Sequence, residues 1–279
     1  MTDNVLCALL RIDACDTLLD LLDPPPSTGF TLLSRYVDTL ASLHALPIAP
    51  LQLVAADGQV LDVSGAQILA QGQHSLVLLL APDSKFVVKI SRSYLIEHER
   101  RMHALVDGSS AHLRPMVAGA GGYGEVKGAG AGLSFLLLQG VGDPFVASHA
   151  SSDASFASLW DQAAAGLTAM HSKRVLHRDC KPSNLILLHG ALLLNDFDIA
   201  CEIADEAALQ QLHVGTEDYR SPKLRDRWRE RDDWLGLVLS FLSLRLPFPF
   251  ADTRASLENA LGLAWVPRSM KERIEKCFR

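Results

Sequence analysis

Several features that define particular classes of protein are missing from this 279-residue sequence. Its 26 lysines and arginines are outnumbered by 32 aspartates and glutamates, so it lacks the basic surplus of a nucleic-acid-binding surface. Its five cysteines form no C-x-x-C pair, which favours a reduced, intracellular protein over a disulfide-linked, secreted one. We therefore expect no nucleic-acid partner and an intracellular, cytoplasmic or nuclear, location.

Long hydrophobic runs are also missing. The N-terminus has neither the basic start nor the uninterrupted apolar core of a signal peptide. The most apolar stretch, Trp234 to Leu244, contains two serines and ends before Arg245, whereas a membrane-spanning helix needs about 20 apolar residues. We expect a buried core helix there and no membrane span. The histidines and cysteines show no zinc-ligand spacing either.

The spacing of apolar residues divides the chain into segments of different structure. Residues 1–50 contain two runs of helical periodicity and form a predicted helical N-terminal extension. Short alternating runs over residues 51–90 predict a group of β-strands, and residues 93–106 return to helical spacing. The glycine-rich residues 119–132 predict a flexible loop, because glycine carries much backbone freedom.

The second half of the chain is predicted to be mainly helical. A strand is expected at residues 133–139, and a hairpin at residues 185–194 interrupts the later helices. The sequence therefore predicts an α+β protein, with a β-rich part followed by a helical part, in one domain over residues 51–279.

Three polar groups are concentrated in residues 175–187, between two apolar runs. Asp179, Lys181 and Asn184 supply a proton acceptor, a cation and an oxygen ligand for a hard metal ion. The hairpin that follows brings the chain back to Asp196, so a second oxygen ligand is expected beside Asn184. Phosphoryl transfer needs this set of groups, and the segment predicts that chemistry.

These residues resemble motifs of the eukaryotic-type protein kinases. Residues 177–184 resemble the H-R-D-x-K-x-x-N catalytic loop, and residues 196–198 resemble D-F-G with aspartate at the last position. Residues 87–90 are similar to the V-A-I-K strand, and residues 215–223 to the G-T-x-x-Y-x-A-P-E segment with lysine in place of its last glutamate. The resemblance covers residues 66–250.

The resemblance implies a bilobal protein-kinase-like fold. A small antiparallel β N-lobe is expected over about residues 60–138 and a mainly helical C-lobe over about 142–279, with few residues for the family's closing helices. It also implies catalytic roles: Asp179 orients the acceptor hydroxyl and takes its proton, beside Arg178 and Lys181. Asn184 and Asp196 are implied as ligands of Mg²⁺.

The resemblance also implies a set of nucleotide contacts. Lys89 is expected to hold the α- and β-phosphates of ATP and to pair with a glutamate of the next helix. Glu99 is preferred to Glu97, because Glu99 lies on the apolar face of that helix and Glu97 lies beside two arginines. The remaining implied contacts are Gly72 and Val77 of the phosphate-covering loop, Leu138, Gln139 and Val141 near the adenine, and Asp143 near the ribose.

Two departures from the family pattern bear on activity. The phosphate-covering loop retains one clear glycine, Gly72, which weakens or reshapes nucleotide binding. The segment between Ile199 and Val214 contains no serine, threonine or tyrosine, so phosphorylation within it is impossible. We expect a carboxylate of that segment, from Glu202, Asp205 or Glu206, to pair with Arg178 instead.

The resemblance implies an ATP- and Mg²⁺-dependent protein kinase that transfers the γ-phosphoryl group to serine or threonine hydroxyls. Its partners are then ATP and a protein substrate. Two alternatives stay open. The first is a pseudokinase that binds or scaffolds, as the single loop glycine, Asp198 and Lys223 favour. The second is a small-molecule kinase related to aminoglycoside and choline kinases, which generally lack the pattern of Arg178 and Lys181.

Overall fold

The structure is a computed structural model. It describes residues 52–63, 66–71, 75–82, 84–127, 132–221, 224, 226–250 and 252–278. The predicted N-terminal extension, Gly72 and Lys223 lie outside the described residues. The described residues divide into two compact units, which are those up to Arg100 with Pro115–Val141, and Arg101–Arg114 with those from Gly142 onward.

The first unit is built on one antiparallel sheet of seven strands. The strands are β1 (Gln52–Ala55), β2 (Val60–Leu61), β3 (Gln67–Gln71), β4 (Ser75–Leu79), β5 (Phe86–Arg92), β6 (Tyr123–Lys127) and β7 (Leu133–Gln139). Their order across the sheet is β2-β1-β6-β7-β5-β4-β3. The β-rich first part predicted from the alternating runs is confirmed.

Strand β6 lies within the glycine-rich residues 119–132, where the sequence predicted a flexible loop, so that prediction is wrong for residues 123–127. Residues 128–131 lie outside the described residues. Gly124 faces β1 so closely that a β-carbon added to it would stand 2.1 Å from the carbonyl oxygen of Val54. A side chain at this position would push β1 away from β6. The glycine therefore permits a close approach of two backbones within a sheet, which is a known use of glycine in strands.

Both faces of β5 are covered. On one face, Val88 and Ile90 are buried in a cluster with apolar residues of β1, β4 and β7. On the other, Val87 packs with Leu136 and with Ile96 of helix α1 (Ser93–Val106). Because side chains alternate along a strand, Lys89 lies on the same face as Val87, beside that helix.

The second unit is mainly helical. Its helices are α2 (Asp153–Ser172), the short α3 (Glu206–Leu209), α4 (Glu230–Leu242), α5 (Thr253–Gly262) and α6 (Arg268–Phe278). Its strands are β8 (Asp143–Pro144), β9 (Val175–Leu176), β10 (Leu185–Leu188), β11 (Ala191–Leu194) and β12 (Cys201–Glu202). Strands β10 and β11 form the predicted hairpin, and β9 pairs with β12.

Helix α4 lies in the centre of the second unit. Every residue from Asp232 to Leu242 is buried, and the Phe241 ring meets the Trp160 ring of α2 edge-on at a centroid distance of 5.3 Å. The prediction of a buried core helix in this stretch is confirmed. No described helix is both long and apolar enough to cross a membrane. The fixed position of α4 matters for the site, since Asp233 stands in its first turn.

Candidate active site

Lys89 forms a buried ion pair in the first unit. Its ammonium nitrogen lies 2.8 Å from Oε2 of Glu99, and the two side chains are 5% and 1% exposed. The pairing follows from two regular elements, because β5 directs Lys89 toward α1 and the apolar face of α1 carries Glu99 inward. Glu97 instead forms a surface pair with Arg100, at 2.6 Å, and its side chain is 62% exposed.

Val77 and Leu138 lie on the same face of the sheet as Lys89. Val77 is opposite Lys89 on the neighbouring strand, and Leu138 is opposite Val87 on β7. Directly opposite residues of antiparallel strands share a face, so the sheet brings these implied nucleotide contacts together. Both pack in one small apolar cluster.

Three further implied nucleotide contacts, Gln139, Val141 and Asp143, are exposed. Gln139 donates from its side-chain amide to the carbonyl of Met116 and from its backbone to that of Pro115. Val141 is 41% exposed. In the second unit, Asp143 is exposed on β8 and pairs with Leu187 of β10.

The loop of residues 177–184 in the second unit is held by one buried carboxylate, that of Asp233. Its Oδ2 accepts the backbone N–H of His177 at 2.8 Å, and its Oδ1 accepts that of Arg178 at 2.7 Å. The ring of His171, at the end of α2, lies 2.9 Å from Oδ2. A side chain fixed in the core thereby fixes the backbone directly before Asp179.

The pKa of Asp233 lies below its usual range. Burial by itself raises the pKa, but the hydrogen bond and the charge of His171, with the hydrogen bond from the His177 backbone, outweigh it. The carboxylate therefore stays ionised at neutral pH. This is the form that accepts all three hydrogen bonds.

Asp179 is the centre of the second group of contacts. Its Oδ1 accepts the backbone N–H of Thr216 at 2.9 Å, and its Oδ2 accepts from the amide nitrogen of Asn184 at 2.9 Å. The ammonium of Lys181 lies 2.6 Å from Oδ2 and 2.8 Å from Oγ1 of Thr216. The side chain of Asp179 is 10% exposed, so its carboxylate is oriented yet accessible.

The close approach of Thr216 depends on the glycine before it. Gly215 has φ +81°, and a β-carbon there would stand 2.4 Å from the carbonyl oxygen of Arg178. Only glycine both adopts this positive φ readily and leaves room for the Arg178 carbonyl. Gly215 and Thr216 lie in a segment that resembles a family motif, yet they are not among the predicted site residues; the G-T pair itself is the signal that could have identified them.

The oxygen ligands suit a hard cation that also binds phosphate. The amide nitrogen of Asn184 donates to the backbone and side-chain oxygens of Asp179, which leaves its Oδ1 as the group for a metal. The backbone N–H of Asn195 bonds the carbonyl of Asn184, and Asp196 follows directly. Among the described residues, no three His, Cys, Asp or Glu side chains form a metal cluster. Two protein oxygens completed by phosphate oxygens is a usual Mg²⁺ arrangement.

His177 and Phe197, the histidine and phenylalanine of the two motifs, hold the loop of residues 177–184 in place. His177 is fully buried, and its Nε2 donates to the carbonyl of Asn195 at 3.1 Å. Its Nδ1 then accepts the backbone N–H of Asp179 at 3.3 Å. The buried Phe197 ring lies edge-on to the His177 ring. This histidine thus links the segments that carry Asp179 and Asp196.

The prediction that a carboxylate pairs with Arg178 is wrong. Arg178 donates from Nε to the carbonyl of Ile199 and from Nη1 to that of Ala208, both at 2.6 Å. The reason is that residues 206–209 form the helix α3, which presents a carbonyl with partial negative charge to the guanidinium. Burial lowers the pKa of Arg178.

The three acidic residues of that segment bind elsewhere. Glu202 pairs with Arg101, and Glu206 pairs with Arg227 at 3.3 Å on the surface. Asp205 caps α3 by accepting the backbone N–H of Ala208 at 3.0 Å. The segment of residues 199–214 therefore contacts Arg178 through its backbone carbonyls.

Asp198, which stands where the family motif has glycine, does not strain the backbone. The described non-glycine residues with positive φ are Arg174, Arg178, His189 and Asp196. Asp198 is not among them, so its conformation is one that any residue adopts. The left-handed residue of this motif is its first aspartate, Asp196, at φ 70°.

An antiparallel sheet unit with a buried Lys–Glu pair, and a helical unit with an H-R-D-type loop, define the class as a protein-kinase-like α+β fold. Comparison with known proteins agrees. Residues 141–263 match the family model of the protein kinase domain. This match and the kinase relatives support the resemblance to the eukaryotic-type protein kinases.

Individual relatives match over part of their length. A tobacco protein, the mitogen-activated protein kinase kinase SIPKK of Nicotiana tabacum, is 36% identical over 105 residues, which are 36% of this chain and 29% of the relative. Cyclin-dependent kinase 7 of Carassius auratus is 38% identical over 35% of this chain and 30% of the relative. G protein-coupled receptor kinase 2 of Drosophila melanogaster is 30% identical over 41% of this chain and 16% of the relative. The matches thus span less than a third of each of these curated relatives.

Proposed function

We propose that this chain is an ATP- and Mg²⁺-dependent protein kinase that phosphorylates serine or threonine hydroxyls. The observation that carries the proposal is the environment of Asp179. Its carboxylate is oriented by Thr216 and Asn184, stands beside the ammonium of Lys181, and is still accessible. A general base needs this combination of fixed geometry and access to its substrate.

In the proposed reaction, the oxygen of the substrate hydroxyl attacks the γ-phosphorus of ATP. The bond from that phosphorus to the bridging oxygen breaks, ADP leaves with the bond's electrons, and the hydroxyl proton passes to Asp179. Lys181 offsets the charge of the moving phosphoryl group, and Lys89 holds the α- and β-phosphates. Lysine at position 181 is the variant that goes with serine and threonine substrates in the family that this sequence resembles.

Asn184 and Asp196 are the residues that would hold Mg²⁺. The ion would neutralise charge on the β- and γ-phosphates when it is bound. Val77 and Leu138, on the same sheet face as Lys89, are the proposed apolar contacts of the adenine. Gly72, Gln139, Val141 and Asp143 remain proposed nucleotide contacts from the family resemblance.

The test is transfer of label from γ-labelled ATP to casein and to myelin basic protein, with Mg²⁺ and with a chelator. We expect transfer that needs Mg²⁺ and is lost in Asp179→Ala, and acid hydrolysis should yield phosphoserine or phosphothreonine. Phosphotyrosine alone would overturn the specificity. Transfer unchanged in Asp179→Ala would overturn the role of this residue.

A second candidate is a pseudokinase that binds nucleotide without transferring phosphate. It is favoured by the sequence between β3 and β4, which retains one glycine of the phosphate-covering loop. Stabilisation of the protein by ATP without any phosphoryl transfer would favour this reading. Under the proposed function, both stabilisation and transfer are expected.

A further inference from the structure

A cavity of about 610 Å³ lies in the second unit, apart from Asp179 and its partners. It is bounded by the turn before β9, by α3, by the start of α4 and by α6. Its volume falls within the range of about 300–1,000 Å³ that is typical of small-ligand sites. Neither the family motifs nor the proposed reaction uses it.

The walls of this cavity carry an excess of positive charge. The charged residues that line it are Arg174, Arg227, Arg229, Arg231, Arg273, Lys276, Glu206 and Glu230. Six cations thus face two carboxylates, on a chain whose formal net charge is −6. Like charges held together in a concave site concentrate the local potential and attract anions.

Surface ion pairs account for only two of these cations. Arg227 pairs with Glu206 at 3.3 Å, and Arg229 pairs with Asp226 at 2.5 Å. In the part of the chain that the structure describes, no acidic side chain forms an ion pair with the other four cations. These four are Arg174, Arg231, Arg273 and Lys276.

The remaining walls are apolar and fixed in place. Trp228 is buried, and its indole N–H donates to the carbonyl of Gln211 at 3.0 Å. The guanidinium of Arg273 stacks on the ring of Trp234 at 3.6 Å. Leu176 and Leu209 complete the apolar surface. A ligand of this cavity would therefore combine an anionic group with an apolar neighbour.

We propose that the cavity binds a phosphomonoester carried by a peptide, namely a phosphorylated serine or threonine beside an apolar residue. Three unpaired guanidinium groups favour a phosphomonoester over a carboxylate, because a phosphate offers three oxygens and nearly two charges to several forked donors at once. The apolar walls favour a peptide over a free phosphate.

The site also touches the loop that Arg178 holds. Glu206 and Leu209 of α3 line the cavity, and Ala208 of the same helix accepts the hydrogen bond of Arg178. A bound phosphate competes with Glu206 for Arg227. Occupancy of the cavity is thereby connected to the position of α3.

The test measures binding to the full chain and needs no catalytic turnover. The probes are peptides with a central phosphoserine flanked by leucine and randomised positions, their serine and glutamate counterparts, and free O-phosphoserine. We expect the phosphopeptides to bind about tenfold or more tightly than every other probe, and to raise the melting temperature. Equal binding of the serine or glutamate peptides, no binding of the phosphopeptides, or equal binding of free O-phosphoserine would overturn the proposal.

Substitutions then locate the site. Arg174 has φ 60°, a conformation that asparagine tolerates, so Arg174→Asn removes the charge without backbone strain. We expect Arg174→Asn and Lys276→Ala each to weaken phosphopeptide binding about tenfold. The matched control is Arg268→Ala, on α6 but outside the cavity, where the side chain is 93% exposed. Equal weakening by the control, or unchanged binding in both cavity variants with unchanged melting temperatures, would contradict the assignment.

Discussion

The two charged centres of this protein are held by different means. In the first unit, Lys89 and Glu99 form an ion pair that is almost completely buried. In the second, Asp179 is 10% exposed and its position depends on hydrogen bonds from Thr216 and Asn184. Packing and charge balance hold the first centre in place, and hydrogen bonds whose geometry the backbone sets hold the second.

The difference predicts different responses to mutation. Loss of one member of a buried ion pair takes the opposite charge away from a buried group, so stability and function should fall together. Loss of an accessible carboxylate that acts on substrate should lower turnover and leave the fold intact. Five predictions test this contrast.

The largest effect is expected at Asp179. Asp179→Asn removes the proposed proton acceptor while keeping the shape of the side chain, so kcat should fall by about 10²–10⁴-fold with little change in the KM for ATP. Steady-state kinetics and a thermal melt of the same preparation check this. A melting temperature far below the wild type would show that Asp179 is a structural residue, as Glu99 is expected to be.

The second prediction compares two glutamates on one helix. Glu99→Gln breaks the buried pair with Lys89 and should lower the free energy of unfolding by about 3–5 kcal/mol. Glu97→Gln breaks the exposed pair with Arg100 and should cost less than about 1 kcal/mol. Urea denaturation of both variants measures the difference. Equal losses would show that burial does not set the strength of the first centre.

Charge balance at the first centre can be separated from its function. The double variant Lys89→Met/Glu99→Leu replaces the pair by apolar side chains, and it should recover most of the stability that Glu99→Gln loses. It should stay inactive, because the proposed cation for the α- and β-phosphates is gone. Recovery of phosphoryl transfer in this variant would contradict the proposed role of Lys89.

The second centre also depends on a buried residue, Asp233, whose carboxylate fixes the backbone of His177 and Arg178. Asp233→Asn places an amide nitrogen against one of the two backbone N–H groups, and should lower the free energy of unfolding by about 2–3 kcal/mol. Because the pKa of Asp233 is lowered by folding, its contribution is present above its usual pKa near 4 and is lost as pH falls through the lower folded value.

The check is urea denaturation at neutral pH and at several acidic values. The wild type should lose stability on acidification, and Asp233→Asn should show a smaller loss over the same range. Parallel curves for the two proteins would show that this carboxylate is not the group responsible.

The sequence predicted the two centres unequally well, because they are held in place by different means. The Lys89–Glu99 pair depends on strand alternation and on the face of one helix, and both can be counted along the chain. The links from Asp233 to His177 and Arg178 span more than fifty residues, so no periodicity indicates them. The prediction of a carboxylate partner for Arg178 was wrong for a similar reason. Carbonyl groups are present at every residue, and only the folded backbone shows which ones face the guanidinium.

The smallest effect is expected at Thr216, which touches the second centre without being buried in it. Thr216→Val keeps the shape and the backbone N–H that reaches Asp179, but removes the oxygen that holds the Lys181 ammonium at 2.8 Å. One such hydrogen bond is worth about 1 kcal/mol, so kcat should fall about fivefold with unchanged stability. The matched control is Thr168→Val on α2, where the hydroxyl bonds only the helix carbonyl of Ala164 among the described contacts. A fall as large as that of Asp179→Asn, or an equal fall in the control, would show that Lys181 is not positioned through this hydroxyl.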